Sequence, residues 1–238
     1  MKTDTTLRLT RTQYRQLAEV AKQDGCCLSL ASVAQLRGNW GLFTPWALGI
    51  HDDATSNEAR MRENVVIEVA TTVNAARLRR AVRPEIDWSQ LEDHEVFPFI
   101  VAHEIGHFRD NHFPFDIFKI EDLEARARCE RVISSVNEVL ADRFAWSRIR
   151  PGEPVPLCEN GKRVQREVAE AMELLDKYIP RQRRSPRVLP AGQYRWIPQS
   201  MLESEQLTAF VGPKVSPALI ERSRQRRRIH RLDTRRRG

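Results

Sequence analysis

The 238-residue sequence has no run of about 18 apolar residues, the length a membrane-crossing helix needs. Its first 25 residues, MKTDTTLRLTRTQYRQLAEVAKQDG, carry charges where a secretory leader would carry its apolar stretch. Cysteine is scarce too: Cys26, Cys27, Cys129 and Cys158 make up the set, two of them adjacent, and no CxxC spacing occurs. That argues against the disulfide framework of a secreted domain and against a zinc ribbon. A soluble, cytoplasmic protein is the expectation. Core material is not lacking, since 41% of the residues are apolar, enough for one large domain or two small ones without staples.

The formal net charge is +7, but it is unevenly spread. Residues 181–238 hold fifteen basic and four acidic side chains, a net +11, which leaves 24 basic against 28 acidic in residues 1–180, a net −4. This is a mildly acidic body with a basic appendage, not a uniformly basic protein. We therefore expect a domain over residues 1–180 and an irregular, Pro/Arg-rich extension over 181–238. The last 17 residues contain nine arginines and almost nothing to bury, so they are expected to be partly disordered.

Within the body, Thr5–Thr10 alternates as a short strand does, and Tyr14, Leu17, Val20 and Ala21 then recur at helical spacing until Gly25. Residues 28–36 suit a second short helix, and 39–50, with two Trp, two Gly and a Pro, a packed loop. Residues 63–72 (ENVVIEVATT) give the best strand in the chain. Three helices are expected after Pro84: about 95–109, about 121–149, either continuous or broken once in the charged ARARCER stretch, and 162–179, closed by Pro180. The fold class is α+β, mainly helical with a small sheet.

His103, Glu104, Ile105, Gly106 and His107 spell HExxH on the first of these helices. Residues four apart lie about 40° apart around a helix and about 6 Å along it, so both imidazoles reach one side and can share a metal ion. Glu104 is about 100° round from His103, placed to hold a water without binding the metal. Zinc lowers the pKa of a water bound to it and polarises a carbonyl, while a carboxylate takes the proton and hands it on. The apolar run FPFIVA just before the motif implies a buried helix. Two buried histidines flanking a glutamate are costly without a partner.

A third ligand has to come from elsewhere. The extension HExxHxxGxxH fails, with Asp110 in place of the glycine, Phe113 in place of the histidine, and His112 one residue short. Downstream, Glu138 and Asp142 are four apart on the next helix and share a face. One can bind the metal while the other receives an imidazole N–H, and Glu138 is the better ligand candidate.

HEIGH, with Glu138 standing 31 positions after His107 in NEVLADRFA, resembles the gluzincin pattern of HExxH followed by ExxAD. Its spacing and soluble setting are most similar to the ImmA/IrrE family of metallopeptidases, over about residues 86–149 and more loosely from Thr10. The resemblance implies a zincin-like domain, with His103, His107 and Glu138 as zinc ligands, Glu104 as general base and Asp142 orienting His103. It also implies cleavage of a DNA-binding repressor as protein substrate. The sequence departs from the family in showing no convincing helix-turn-helix segment. Tyr178, Tyr194, Arg143 and His112 are all candidates for steadying a developing oxyanion, with none preferred. The strand 65–71 is either the edge that pairs with an extended substrate or a plain core strand.

Two features bear on nucleic acid. The tail arginines Arg226, Arg227, Arg228, Arg235, Arg236 and Arg237 could neutralise phosphates in a salt-sensitive way. TTLRLT followed by a helix fits either a ribbon-helix-helix opening or the first elements of the peptidase domain. The alternative to a peptidase is thus a DNA-associated regulator whose metal site is structural or vestigial and whose tail binds nucleic acid.

Overall fold

The computed structural model describes residues 5–52 and 59–184. The expected basic extension and its tail arginines lie outside these residues from position 185 on, as does Tyr194. The chain divides into two compact units, Met1–Pro45 with Val65–Val188 and Trp46–Asn64 with Leu189–Gly238. Of the second unit only strand backbone is described. The first holds the motifs and is a mixed α+β unit.

Strand β1 (Thr6–Arg8) leads into helix α1 (Arg11–Gln23) through a capping box, in which the Thr10 hydroxyl accepts from Gln13 N and the Gln13 side chain accepts from Thr10 N. Tyr14, Leu17, Ala18 and Ala21 form the buried face of α1. Gly25, at φ 81°, turns the chain out of the helix, a conformation that glycine enters without a Cβ penalty. Strands β2 (Cys27–Ala31), β3 (Gly41–Asp52) and β4 (Ala59–Ala70) make a sheet in the order β2-β4-β3. β2 runs parallel to β4, with Cys27 opposite Val66 and Ala31 opposite Ala70. β5 (Thr72–Asn74) pairs antiparallel with β1, Leu7 facing Val73, and Asn74 then caps the short helix α2 (Ala75–Arg79) by accepting from Arg77 N.

These elements revise two expectations and decide between two pairs of alternatives. Residues 28–36 do not form a helix: 27–31 are strand and 33–38 a turn. The cause is a parallel strand covered on both faces, whose near-continuous apolar run (CLSLA) carries no period-two alternation. Residues 39–50 are not a loop but the start and body of β3, an outer strand, the part of a sheet where a proline such as Pro45 is accommodated. The 65–71 stretch is strand, but β4 is the central strand and not an edge. The ribbon-helix-helix alternative is also set aside, since β1 is consumed by β5 of the same chain.

Helix α3 (Val96–Arg109) takes Pro98 within its first turn, where no intrahelical N–H is needed. It is buried almost all round, through Val96, Phe97, Phe99, Ile100, Val101, Ile105 and Phe108. Each such side chain stabilises the fold by about 1.5–3 kcal/mol relative to exposure. Helix α4 (Leu123–Ile149) is one unbroken element, capped by Asp122, which accepts from Glu124 N and Ala125 N. The ARARCER stretch does not interrupt it, because Arg128, Glu130 and Arg131 face solvent while Ala125, Cys129 and Ile133 face the core, an ordinary amphipathic stripe. Helix α5 (Glu159–Tyr178) begins at Cys158, whose Sγ accepts from Gly161 N, and packs Leu175 and Ile179 against Cys129, Ile133, Val136 and Leu140 of α4.

After α3 the chain makes a two-residue strand, β6 (Asp110–Asn111), which pairs antiparallel with β7 (Gln182–Arg183). The body therefore runs through Arg184, whose N–H donates to Arg109 O at 2.9 Å. No described helix is long and apolar enough to cross a membrane.

Candidate metal centre

Helices α3 and α4 meet where neither has bulk. A Cβ placed on Gly106 would lie 2.8 Å from Ala141 Cα and 3.1 Å from Ala141 O, so only glycine allows this approach. Gly106 falls between the two histidines of HEIGH, and Ala141 between Glu138 and Asp142. The closest approach of the helices therefore brings the two halves of the sequence pattern together.

His103 Nε2 and His107 Nε2 lie 3.1 Å apart. Glu138 closes the group, with Oε2 3.5 Å from His103 Nε2 and Oε1 3.4 Å from His107 Nε2. These three residues form a group able to hold a metal ion. Asp142 Oδ1 stands 2.8 Å from His103 Nδ1. A carboxylate at that position favours the tautomer that carries its proton on Nδ1, which leaves the Nε2 lone pair facing His107 and Glu138.

The donor set fits a zinc ion. Two imidazole nitrogens bound tetrahedrally at about 2.0–2.1 Å stand about 3.3 Å apart, close to the separation found here. Without a cation, lone pairs converging at 3.1 Å beside a carboxylate call for a proton instead. Burial opposes an imidazolium at His103, yet the Asp142 and Glu138 carboxylates outweigh it and lift the ring to about 10. The Glu138 carboxyl moves the other way: burial would raise it, but hydrogen bonds from the two imidazoles hold it well below the usual range. A site that draws positive charge this strongly is suited to a divalent metal.

Glu104 is not in the ligand group but lines the same cleft, a space of about 360 Å³ bordered also by Trp40, Leu42, Phe43, Arg83, Trp88 and Ile100. Burial pushes the Glu104 carboxyl above the ordinary glutamate range. Aromatic rings fix the imidazoles: Phe99 stacks on His103 with ring centres 6.4 Å apart, Trp88 meets His103 edge-on at 6.0 Å, and Phe43 stacks on His107 at 6.3 Å.

The structure thus brings together His103, Glu104, His107, Glu138 and Asp142, residues spread over 40 positions of sequence. None of the described oxyanion candidates lines the cleft. His112 is fully buried, and its Nδ1–H donates to Ile179 O at 2.8 Å. Arg143 binds both carboxylate oxygens of Glu85, and Tyr178 packs against the core between α4 and α5. Reasoning from sequence also missed three contributors. Asn137 accepts from His112 N and donates to His112 O, which zips the end of β6 onto α4 beside Glu138. Gly41 lies against the Glu104 carboxyl. Arg83 bonds to both Glu138 and Asp142, 55 and 59 positions away, and no local spacing signals such a contact. Neither a family model, a curated protein nor a solved structure matches this chain.

Proposed function

We propose that this protein is a zinc-dependent peptidase of the ImmA/IrrE type with a zincin-like domain, acting on a protein target such as a DNA-binding repressor. The observation that carries this reading is the convergence of two imidazoles and one carboxylate within 3.1–3.5 Å, with a second, non-ligating carboxylate in the same cleft. His103, His107 and Glu138 would hold the zinc, which when bound supplies Lewis acidity toward a water and a peptide carbonyl.

The chain's own groups perform the proton work. Glu104, buried and lining the same cleft as the candidate ligands, would take a proton from the attacking water and pass it to the departing amine. Asp142 holds the His103 ring in the orientation that points Nε2 into the cleft. Trp40, Phe43, Trp88 and Ile100 give the cleft apolar walls, which accept an apolar side chain next to the scissile bond and limit water. β3 is an outer strand of its sheet and contributes Gly41, Leu42 and Phe43 to the cleft wall. The outward side of such a strand suits main-chain pairing with an extended peptide.

Metal analysis of the purified chain beside Glu104→Gln and Glu138→Ala, with hydrolysis of a quenched-fluorescence peptide mixture, tests the reading. One zinc per chain is expected in the wild type and in Glu104→Gln, with cleavage only in the wild type. Glu138→Ala should lose both. Full activity in Glu104→Gln sinks the mechanism. Deleting residues 221–238 should leave turnover of a short peptide intact, whereas a tail-based binder would lose its function.

A further inference from the structure

Arg83 lies in the loop between α2 and the 3-10 turn Trp88–Gln90. Its Nη2 donates to Glu138 Oε2 at 2.6 Å and to Asp142 Oδ1 at 3.0 Å, and its Nε donates to Asp142 Oδ2 at 3.0 Å. One guanidinium therefore spans the candidate ligand on one side and the partner of His103 on the other. Its plane lies over the Trp88 ring, 4.2 Å from the centroid, and Trp88 in turn meets His103. The side chain is mostly buried, as is Asp142. Charge-assisted forks of this kind are geometrically demanding, and a lysine cannot reproduce them.

The backbone that presents Arg83 is fixed as firmly as the side chain. Cys158 N and Gly161 hold the chain at Glu85, where a Cβ on Gly161 would overlap Glu85 O. Asn160 Nδ2 donates to Pro84 O, Asp87 N donates to Pro156 O, and Glu85 is bound at both oxygens by Arg143 of α4. The loop is thus clamped to the start of α5 and to α4 on either side of the site. An arginine held this way is not a surface residue that happens to reach a carboxylate.

We infer that Arg83 is a positioning residue of the metal centre: by occupying Glu138 Oε2 it leaves Oε1 as the free ligand oxygen, and by forking onto Asp142 it fixes the group that orients His103. This inference rests on the zinc reading above. Removing the guanidinium would leave Glu138 and Asp142, two carboxylates on one helix face, without the one group that bonds to both, and Glu138 held by the imidazoles alone. Groups that orient metal ligands typically contribute about 10- to 100-fold to metal affinity.

The test measures zinc affinity of the full chain by competition with a fluorescent chelator, and the visible absorption of the cobalt(II)-loaded protein, in the wild type, Arg83→Ala, Arg83→Lys and Arg150→Gln. Arg150→Gln breaks a comparable ion pair, onto both oxygens of Glu95, between the end of α4 and the start of α3 and outside the cleft lining, so it reports a purely structural loss. Arg83→Ala is expected to bind zinc about 10- to 100-fold more weakly and to shift the cobalt bands. Arg150→Gln should do neither. Arg83→Lys keeps the charge and the stem, so it decides the matter even where Arg83→Ala does not fold: an intermediate loss with shifted bands supports the fork, and wild-type behaviour overturns it. Zinc binding by Arg83→Ala equal to that of Arg150→Gln overturns the inference while leaving the peptidase reading intact. A wild-type chain that takes up no zinc overturns both.

Discussion

The backbone of Gly41, the first residue of β3, lies against the carboxyl of Glu104: a Cβ at Gly41 would run into Glu104 Oε1 and stand 2.8 Å from Cγ and 2.9 Å from Cδ. The outer strand thus acts as a wall against the Glu104 carboxyl. Gly41→Ala is expected to displace the carboxyl while leaving His103, His107 and Glu138 in place. Misplacement of a reacting group by about 1 Å costs on the order of 10²-fold in rate. Peptide turnover should fall by that order with zinc content unchanged, as steady-state kinetics and metal analysis on the same preparation would show. Loss of zinc would mean that the strand supports the ligands instead.

Glu104 is held in a place that disfavours its charge. Because burial raises its carboxyl in the folded chain, the folded state favours the protonated form. Its contribution to stability is present below the unfolded value of about 4.3 and is lost as pH rises through the folded value. Metal-free Glu104→Gln should therefore melt at a higher temperature than the wild type at pH 7, and the difference should close near pH 4. Equal melting at both pH values would contradict this.

His112 carries the opposite sign. Burial lowers its imidazole below the ordinary value of about 6.5, so the unfolded chain takes up this proton first. The stability it represents is complete above that value and declines as pH falls through the folded value. Denaturant titrations from pH 7.5 to 5 (about one unit either side of the ordinary histidine value) should show a decline that is shallower in His112→Asn, whose amide can still donate to Ile179 O.

Asp24, at the end of α1, is buried and ion-paired to Arg109 at the end of α3 and to Arg148 near the end of α4. Asp24→Ala leaves both guanidiniums without their shared anion. A loss on the order of 3 kcal/mol is expected, less where Arg148, about half exposed, regains water. Chemical denaturation measures it. A loss below about 1 kcal/mol would show that the pairs behave like surface ones.

Much of the site was legible because its chemistry is local. HEIGH sits on one helix, and the face shared by Glu138 and Asp142 is set by a four-residue step, so spacing alone named five residues that the fold brings together. Helices α3, α4 and α5 were legible from their apolar stripes. β2 and β3 were not: the first is covered on both faces and lacks alternation, and the second contains the proline and glycines that usually mark a loop. Which strand is the edge depends on pairing across the chain, and no single segment encodes it. Arg83 was invisible for the same reason, as its partners are more than 50 positions away and an Arg-Pro dipeptide reads as a turn.

The contact of Gly106 with Ala141 makes the metal centre a gauge of helix spacing. Two residues of the candidate ligand group ride on one helix and the third on the other, so any side chain larger than hydrogen at position 106 acts as a wedge whose thickness is transferred directly to the distance between His107 and Glu138. A metal bridging the pair would in turn resist the wedge, like a bolt through two beams at the point where they touch. Gain or loss of the ion and tightening or loosening of the helix pair would then be a single mechanical event, read out equally well from either side.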